Sequence, residues 1–248
     1  MFAWSFAMLV GEGMRKMDII IYDLETTYSY KKGQIPEIVE IGAVRIDPKI
    51  RQITDSFQCY VFPQIRGKFD SRTMRFIGMK EEDQFNAISF PEALEQLKSW
   101  MGDDYYFCAW GPDDKRIFIE HCVRFAFSFD WLKNTNNIQT PISLLLGPVK
   151  QMGLAKAMEI AGLDPEGRLH SALDDSVNTA KLFLHCYDQV PLEINDPPTF
   201  EGESCPLYRT CRGCKKEKWY RQFRSRKNFC IRCESRWKAK HFASQSPV

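Results

Sequence analysis

Asp18-Ile19-Ile20-Ile21-Tyr22-Asp23-Leu24-Glu25-Thr26-Thr27 sets an apolar run directly against two carboxylates. Residues 18–24 carry the uninterrupted hydrophobicity of a buried strand. Side chains alternate along a strand, so Asp23 and Glu25, two apart, project to the same side. Two carboxylates at the end of a buried strand are costly unless something neutralises them. Divalent cations would do so, and carboxylate and water ligands suit Mg²⁺ or Mn²⁺ rather than zinc. The plainer reading is a turn whose acids are solvated, and Asp-x-Glu alone is too short to decide.

Working outward, residues 37–46 (Glu-Ile-Val-Glu-Ile-Gly-Ala-Val-Arg-Ile) read as a second strand and residues 53–62 as a third, with Asp47-Pro48 marking the turn between them. Three successive strands predict an antiparallel meander. Helical signals follow. Phe90 to Trp100 has Ser89 as N-cap and Pro91 in its first turn. Asp104 to Trp110 is a short apolar strand, and Gly111-Pro112 then opens a helix running to about Ala126. Further helices are predicted from Pro141, over Gly153–Ala161, and over Ser171–Tyr187. The fold class is therefore α/β, a mixed sheet with helices on its faces. Residues 191–204, with three prolines and several acids, read as a linker.

Two more acidic positions follow from helix spacing. In Trp110-Gly111-Pro112-Asp113-Asp114, Asp113 shares its stripe with Arg116, Glu120 and Arg124, which reads as a solvated face. Asp114 shares its stripe with Ile117, Phe118 and Phe125, an inward face, and is the candidate ligand. In His170-Ser171-Ala172-Leu173-Asp174-Asp175, Ser171 and Asp174 have capping-box spacing, which starts the helix there and leaves His170 on the preceding loop. Asp174 aligns with the polar Asn178, Lys181 and His185, whereas Asp175 aligns with Ala172, Thr179, Leu182 and Cys186. Asp175 is the candidate ligand and Asp174 the cap. A lone loop histidine is more often structural than catalytic; His170 stands out by preceding an inward carboxylate.

Hydrolysis of a phosphodiester can use such a set. Two metals roughly 4 Å apart can activate the attacking water and stabilise the leaving 3′ oxygen. Carboxylates offset their charge, and a histidine is the natural acceptor for the water's proton near neutral pH. Asp23-x-Glu25, Trp-Gly-x-x-Asp114 and His170-x4-Asp175, in that order over roughly residues 18–188, resemble the three motifs of the DEDDh 3′→5′ exonucleases, which have the RNase H-like fold. Pro36-Glu37-Ile38-Val39-Glu40-Ile41-Gly42-Ala43-Val44 and the Trp-Gly pair are similar to the ERI-like and KapD-like branch, which acts mainly on RNA 3′ ends. The resemblance implies that Asp23, Glu25 and Asp175 hold two Mg²⁺ or Mn²⁺ ions, with Asp114 assisting directly or through water. It makes His170 the general base and turns the backbone around Leu24, Thr26 and Thr27 to the terminal nucleotide. Pro112-Asp113 inside the second motif departs from the pattern, which bears on substrate preference rather than on the catalytic set.

Charge divides the chain. Its 248 residues carry a net +2, yet residues 205–241 hold 13 Lys+Arg against 2 Asp+Glu, leaving about −9 for the remainder. Five of nine cysteines fall between Cys205 and Cys233. Cys211-x2-Cys214 and Cys230-x2-Cys233, 15 residues apart, have the spacing of two knuckles closing one tetrahedral structural Zn²⁺ site, as expected in a reducing compartment. Cys205 is left over. Between the knuckles, Lys215, Lys216, Lys218, Arg221 and Arg224 interleave with Trp219 and Tyr220. Two readings stand: a surface for single-stranded or structured RNA, or a small aromatic core with solvated cations.

The expected organisation is an extension over residues 1–16, an exonuclease domain over 17–190, a linker over 191–204 and a basic four-cysteine zinc ribbon over 205–242. The apolar residues 1–10 are too short to span a membrane and lack a preceding positive charge, so a cytoplasmic protein with no membrane partner is expected. The expected partner is single-stranded nucleic acid, RNA favoured, with the ribbon as substrate clamp or anchor to a ribonucleoprotein. A DNA exonuclease of repair or proofreading, and a non-catalytic adaptor on the same scaffold, are the alternatives.

Overall fold

The computed structural model describes residues 17–28, 36–198, 208–219 and 228–236. Strand β1 (Asp18–Thr26) lies at the centre of a five-stranded sheet ordered β3-β2-β1-β4-β5. It pairs antiparallel with β2 (Ile38–Asp47), which pairs antiparallel with β3 (Gln52–Tyr60), so the expected meander is present. On its other side β1 runs parallel to β4 (Tyr105–Ala109), and β4 parallel to β5 (Thr135–Asn137).

The alternation along β1 sorts its side chains between two cores. Ile20, Tyr22 and Leu24 pack with Phe107 of β4 against helices α2 (Phe90–Met101) and α3 (Asp113–Arg124). The Tyr22 ring stacks on Phe107 with centroids 3.7 Å apart. Ile19 and Ile21 face the other way, with Val44 and Ile46 of β2, onto α4 (Gln139–Leu146), α5 (Leu154–Ala161) and α6 (Ala172–His185). Helices thus cover both faces of a mixed sheet, the RNase H-like arrangement expected. Asp23 and Glu25 continue the odd-numbered series and so point to the α6 side.

Local signals place these helices. Ser89 caps α2, its side chain accepting from the Glu92 N–H, and Pro91 occupies the first turn. Ser171 caps α6 likewise, accepting from the Asp174 N–H. Gly42 lets α6 lie directly on β2: a Cβ there would sit 2.1 Å from both Ala172 C and Leu173 N. The Ser176 hydroxyl donates to the Gly42 carbonyl at 3.0 Å, fastening the helix to the strand.

Several features differ from the sequence reading. A short helix, α1 (Ser71–Ile77), and a 3₁₀ turn, Glu82–Asn86, fill the connection after β3. The three-residue β5 is held by asparagines: Asn195 Oδ1 accepts from the Thr135 N–H and Asn134 Oδ1 from the Asn195 N–H, tying the start of the linker stretch to the sheet. Glu120, read as part of a solvated face, and Asn178, read as part of a polar one, are fully buried. The loop after α5 folds over α6, and Asn178 exchanges two hydrogen bonds with the Glu166 backbone (2.8 and 2.9 Å). No described helix is long and apolar enough to cross a membrane.

The second unit is small. Strands β6 (Tyr208–Thr210) and β7 (Glu217–Trp219) pair antiparallel, and the hairpin between them carries the first cysteine pair. The extension 1–16, Cys205, Tyr220, Arg221 and Arg224 lie outside the described residues.

Candidate active site

Asp23 and Glu25 stand at the carboxyl end of the central strand, Asp114 in the first turn of α3 and Asp175 in the first turn of α6. The sheet brings these three element ends together. Of the adjacent pair on α3, Asp113 is exposed and Asp114 half-buried, facing Asp23. Of the pair on α6, Asp174 turns to the preceding loop, where its Oδ2 accepts from the Arg168 N–H at 2.8 Å. The cap is therefore half of a capping box: Ser171 takes the Asp174 amide, but the Asp174 carboxylate is spent on the loop.

Asp175 Oδ2 accepts from the His170 N–H at 3.0 Å, while its Oδ1 is buried with no hydrogen-bond partner. His170 adopts the left-handed region (φ 64°), uncommon for a residue with a Cβ, and this turns its ring back over the strand end. Its Nδ1 lies 3.8 Å from Glu25 Oε1, and its ring stacks on Phe76 of α1 with centroids 4.2 Å apart. Ligand atoms of Glu25, His170 and Asp175 all lie within 4.8 Å of one another.

The electrostatics of this corner are unbalanced. Burial, then the neighbouring charges of Asp114, Glu25, Asp175 and Glu40, push the Asp23 carboxyl well above the usual range. Burial and then Asp175, Glu40 and Asp114 push Glu25 up to about 8, with Arg168 opposing. Burial, reinforced by Asp113, pushes Asp114 up to about 7. Asp175 is also raised by burial, against the pull of the His170 N–H. Carboxylates held this close either keep protons or share cations. Oxygen donors throughout, and a buried carboxylate oxygen without a partner, fit hard divalent ions.

Sequence reasoning missed Glu40. It pairs with Glu25 across the β1–β2 ladder, is fully buried, and accepts from Gln58 Nε2 at 2.7 Å. Burial raises its carboxyl, offset by Gln58 and by the backbone N–H groups of Ala172 and Leu173, the first amides of α6. A glutamate set among the apolar residues 38–44 was the available signal. Arg168 was missed as well; its guanidinium donates to the carbonyls of Arg75 and Phe76 at the end of α1. Leu24 and Thr27, expected near the nucleotide, turn their side chains into the fold. Leu24 packs in the core, and Thr27 Oγ1 accepts from the Glu37 N–H at 3.0 Å. Thr26 stays half-exposed.

In the small unit, the sulfurs of Cys211, Cys214, Cys230 and Cys233 all lie within 4.8 Å of one another. Cys211 Sγ accepts from the Cys230 N–H at 3.1 Å. Although burial opposes it, the amides of Cys230, Cys214 and Gly213 bring the Cys211 thiol down to about 6, a thiolate-favouring position suited to a metal. Lys215 and Lys216 are exposed beside this cluster and Lys218 is half-buried. Nothing of the Trp219 side chain is among the described residues.

A family model described as Exonuclease (RNase_T) matches residues 20–183. The chain belongs to this exonuclease family. The match takes in all five positions at the strand end and stops before the cysteine cluster. "3'-5' exoribonuclease 1" of Mus musculus is 28% identical over 194 residues, 72% of this chain, and the chain spans 55% of that protein's length. "Probable 3'-5' exonuclease KapD" of Bacillus subtilis (strain 168) is 27% identical over 201 residues, covering 78% of this chain and 96% of the relative. Among solved structures, the nuclease domain of a DEDDh-family 3′-exonuclease bound to rAMP superposes with a TM-score of 0.67 at 26% identity, over 74% of this chain and 98% of that one. The family uses divalent metal ions.

Proposed function

We propose that this chain is a 3′→5′ exonuclease that releases mononucleotides from the 3′ end of single-stranded nucleic acid, RNA in preference to DNA. The carrying observation is the cluster of Glu25, His170 and Asp175 at the carboxyl end of the central strand, with Asp23 and Asp114 close enough to shift its carboxyls and an unpartnered buried oxygen on Asp175, in a chain of the exonuclease family. Asp23, Glu25 and Asp175 would hold two Mg²⁺ or Mn²⁺ ions, with Asp114 completing the set. Those ions supply a water of lowered pKa and stabilisation of the leaving 3′ oxygen. His170 takes the water's proton on its imidazole as the water attacks the terminal phosphodiester. The Phe76 stack and the Asp175–His170 backbone bond hold the ring in place for that transfer. The P–O3′ bond breaks, and the shortened strand keeps its 3′ hydroxyl.

The cysteine cluster would hold one structural Zn²⁺, fixing a basic surface that draws in the strand or anchors the enzyme to a ribonucleoprotein. The exoribonuclease names among the relatives support RNA over DNA.

The test is a 3′-labelled single-stranded RNA with Mn²⁺. Release of labelled mononucleotide is expected, with Asp23→Ala lowering the rate by about a thousandfold or more, since losing a metal ligand removes the nucleophile-generating ion. Absence of release, or release that survives Asp23→Ala, would sink the proposal. Competition between RNA and DNA oligomers of one sequence settles the preference.

A further inference from the structure

Resting on that function, one more surface gains a role. The body is acidic: residues 17–198 carry 19 Lys+Arg and 27 Asp+Glu, a net −8. Its active site is itself a group of carboxylates. A polyanionic strand approaching this body meets repulsion except where cations are concentrated.

One segment reverses the sign. Residues 61–80 hold five Lys+Arg against the single acid Asp70, a net +4. Asp70 is already committed: its carboxylate caps α1 by accepting from the Thr73 N–H (2.9 Å) and pairs with Arg66 (3.0 Å). Lys68, Arg72 and Arg75 are exposed. Arg72 and Arg75 are three apart on a helix and share one side of α1.

The segment is also held rigidly beside the active site. Glu37, buried at the start of β2, accepts from the Ile65 and Arg66 N–H groups (2.8 and 3.1 Å) and fixes the loop before α1. The Arg72 guanidinium lies 4.5 Å over the Tyr28 ring, and Tyr28 meets Phe76 edge-on at 5.7 Å. Phe76 stacks on His170, whose Nδ1 is 3.8 Å from Glu25. Neighbouring groups therefore run unbroken from Arg72 of α1 to Glu25.

We propose that Lys68, Arg72 and Arg75 form a track for the backbone phosphates of the substrate strand upstream of its terminal nucleotide. The occupant is the strand being degraded, fixed by charge complementarity and by continuity with the active site. The track is separate from the basic cysteine module and belongs to the body. It gives the enzyme a length dependence: a dinucleotide does not reach it, while a longer strand does.

The experiment uses the full chain and the paired variant Lys68→Ala/Arg75→Ala. Arg72 is left in place because its removal would also expose Tyr28. A second pair, Lys49→Ala/Lys150→Ala, removes the same charge from the β2–β3 turn and the α4–α5 connection. The readout is the ratio of kcat/KM for an oligomer of about ten nucleotides to that for a dinucleotide. Lys68→Ala/Arg75→Ala is expected to lower this ratio about tenfold, and to make the slope of log affinity against log salt shallower by about 1.4, ~0.7 for each phosphate no longer neutralised. The Lys49/Lys150 pair is expected to change both far less. An unchanged ratio, equal effects from the two pairs, or equal loss on both substrate lengths would overturn the track. Failure of the unsubstituted protein to cleave even the dinucleotide would instead overturn the exonuclease reading beneath it.

Discussion

Glu25 and Asp114 show what burial does to single carboxylates. Their carboxyls rise to about 8 and about 7, from ordinary values of 4.5 and 3.8, chiefly because burial disfavours the charged form. A group raised in the folded state binds more protons folded than unfolded between its two pKa values. Its contribution to stability is therefore complete at low pH and is lost as pH rises through the folded value. The protein without Mg²⁺ or Mn²⁺ should lose thermal stability between about pH 4 and about pH 8 on account of these groups. Mn²⁺ replaces the protons, so its stabilising shift in Tm should grow over the same window. Scanning unfolding at several pH values with and without Mn²⁺ measures both. A Mn²⁺ shift of equal size at both ends of the window would mean that the raised carboxylates are not its ligands.

At the scale of elements, the site depends on how closely α6 can approach β2. The pair Gly42 and Ser176 sets that approach, and Glu40 beneath the first amides of α6 fixes where the helix begins. Gly42→Ala places a methyl 2.1 Å from backbone atoms of Ala172 and Leu173, which cannot rotate away as a side chain could. The helix must lift, carrying Asp175 and the His170 loop with it. A destabilisation of about 1–3 kcal/mol is expected from overpacking, with a loss of kcat larger than Tm alone would suggest. Chemical denaturation alongside kinetics checks this; full activity in Gly42→Ala would show that α6 placement is not critical. These same elements were the legible ones. β1, β2, α2 and α6 announced themselves through long apolar runs and Ser caps, and helix stripes separated Asp114 from Asp113 and Asp175 from Asp174. Where stripes failed, as at Glu120 and Asn178, a neighbouring loop or element covered a polar face, which periodicity within one helix cannot register. Helix α1 has seven residues with only Thr73 and Ile77 buried, too few to show a period, and the strand Thr135–Asn137 is polar throughout because side-chain amides hold it. Both lie outside what propensity can detect, and with α1 went the cations and the Phe76 ring that frame the active site.

The whole molecule divides its electrostatics between two units. The body concentrates acids at the end of its central strand, and residues 205–241 carry the opposite charge in excess. An enzyme that attracts its substrate only through the α1 strip would bind weakly at physiological ionic strength, because exposed cations are screened beyond roughly 8 Å. Under the proposed function, the cysteine module would supply the larger share of attraction and leave the chemistry to the body, whose family match ends before it begins. Deleting residues 205–248 should then weaken binding of a single-stranded oligomer and flatten its salt dependence by ~0.7 for each phosphate that the module neutralises, while hydrolysis of a dinucleotide persists. Filter binding across a salt series, paired with dinucleotide kinetics, distinguishes this from two other outcomes. Binding that keeps its full salt slope would place the attraction in the body. Loss of dinucleotide cleavage in a truncated protein whose body still melts cooperatively would make the module part of the active site.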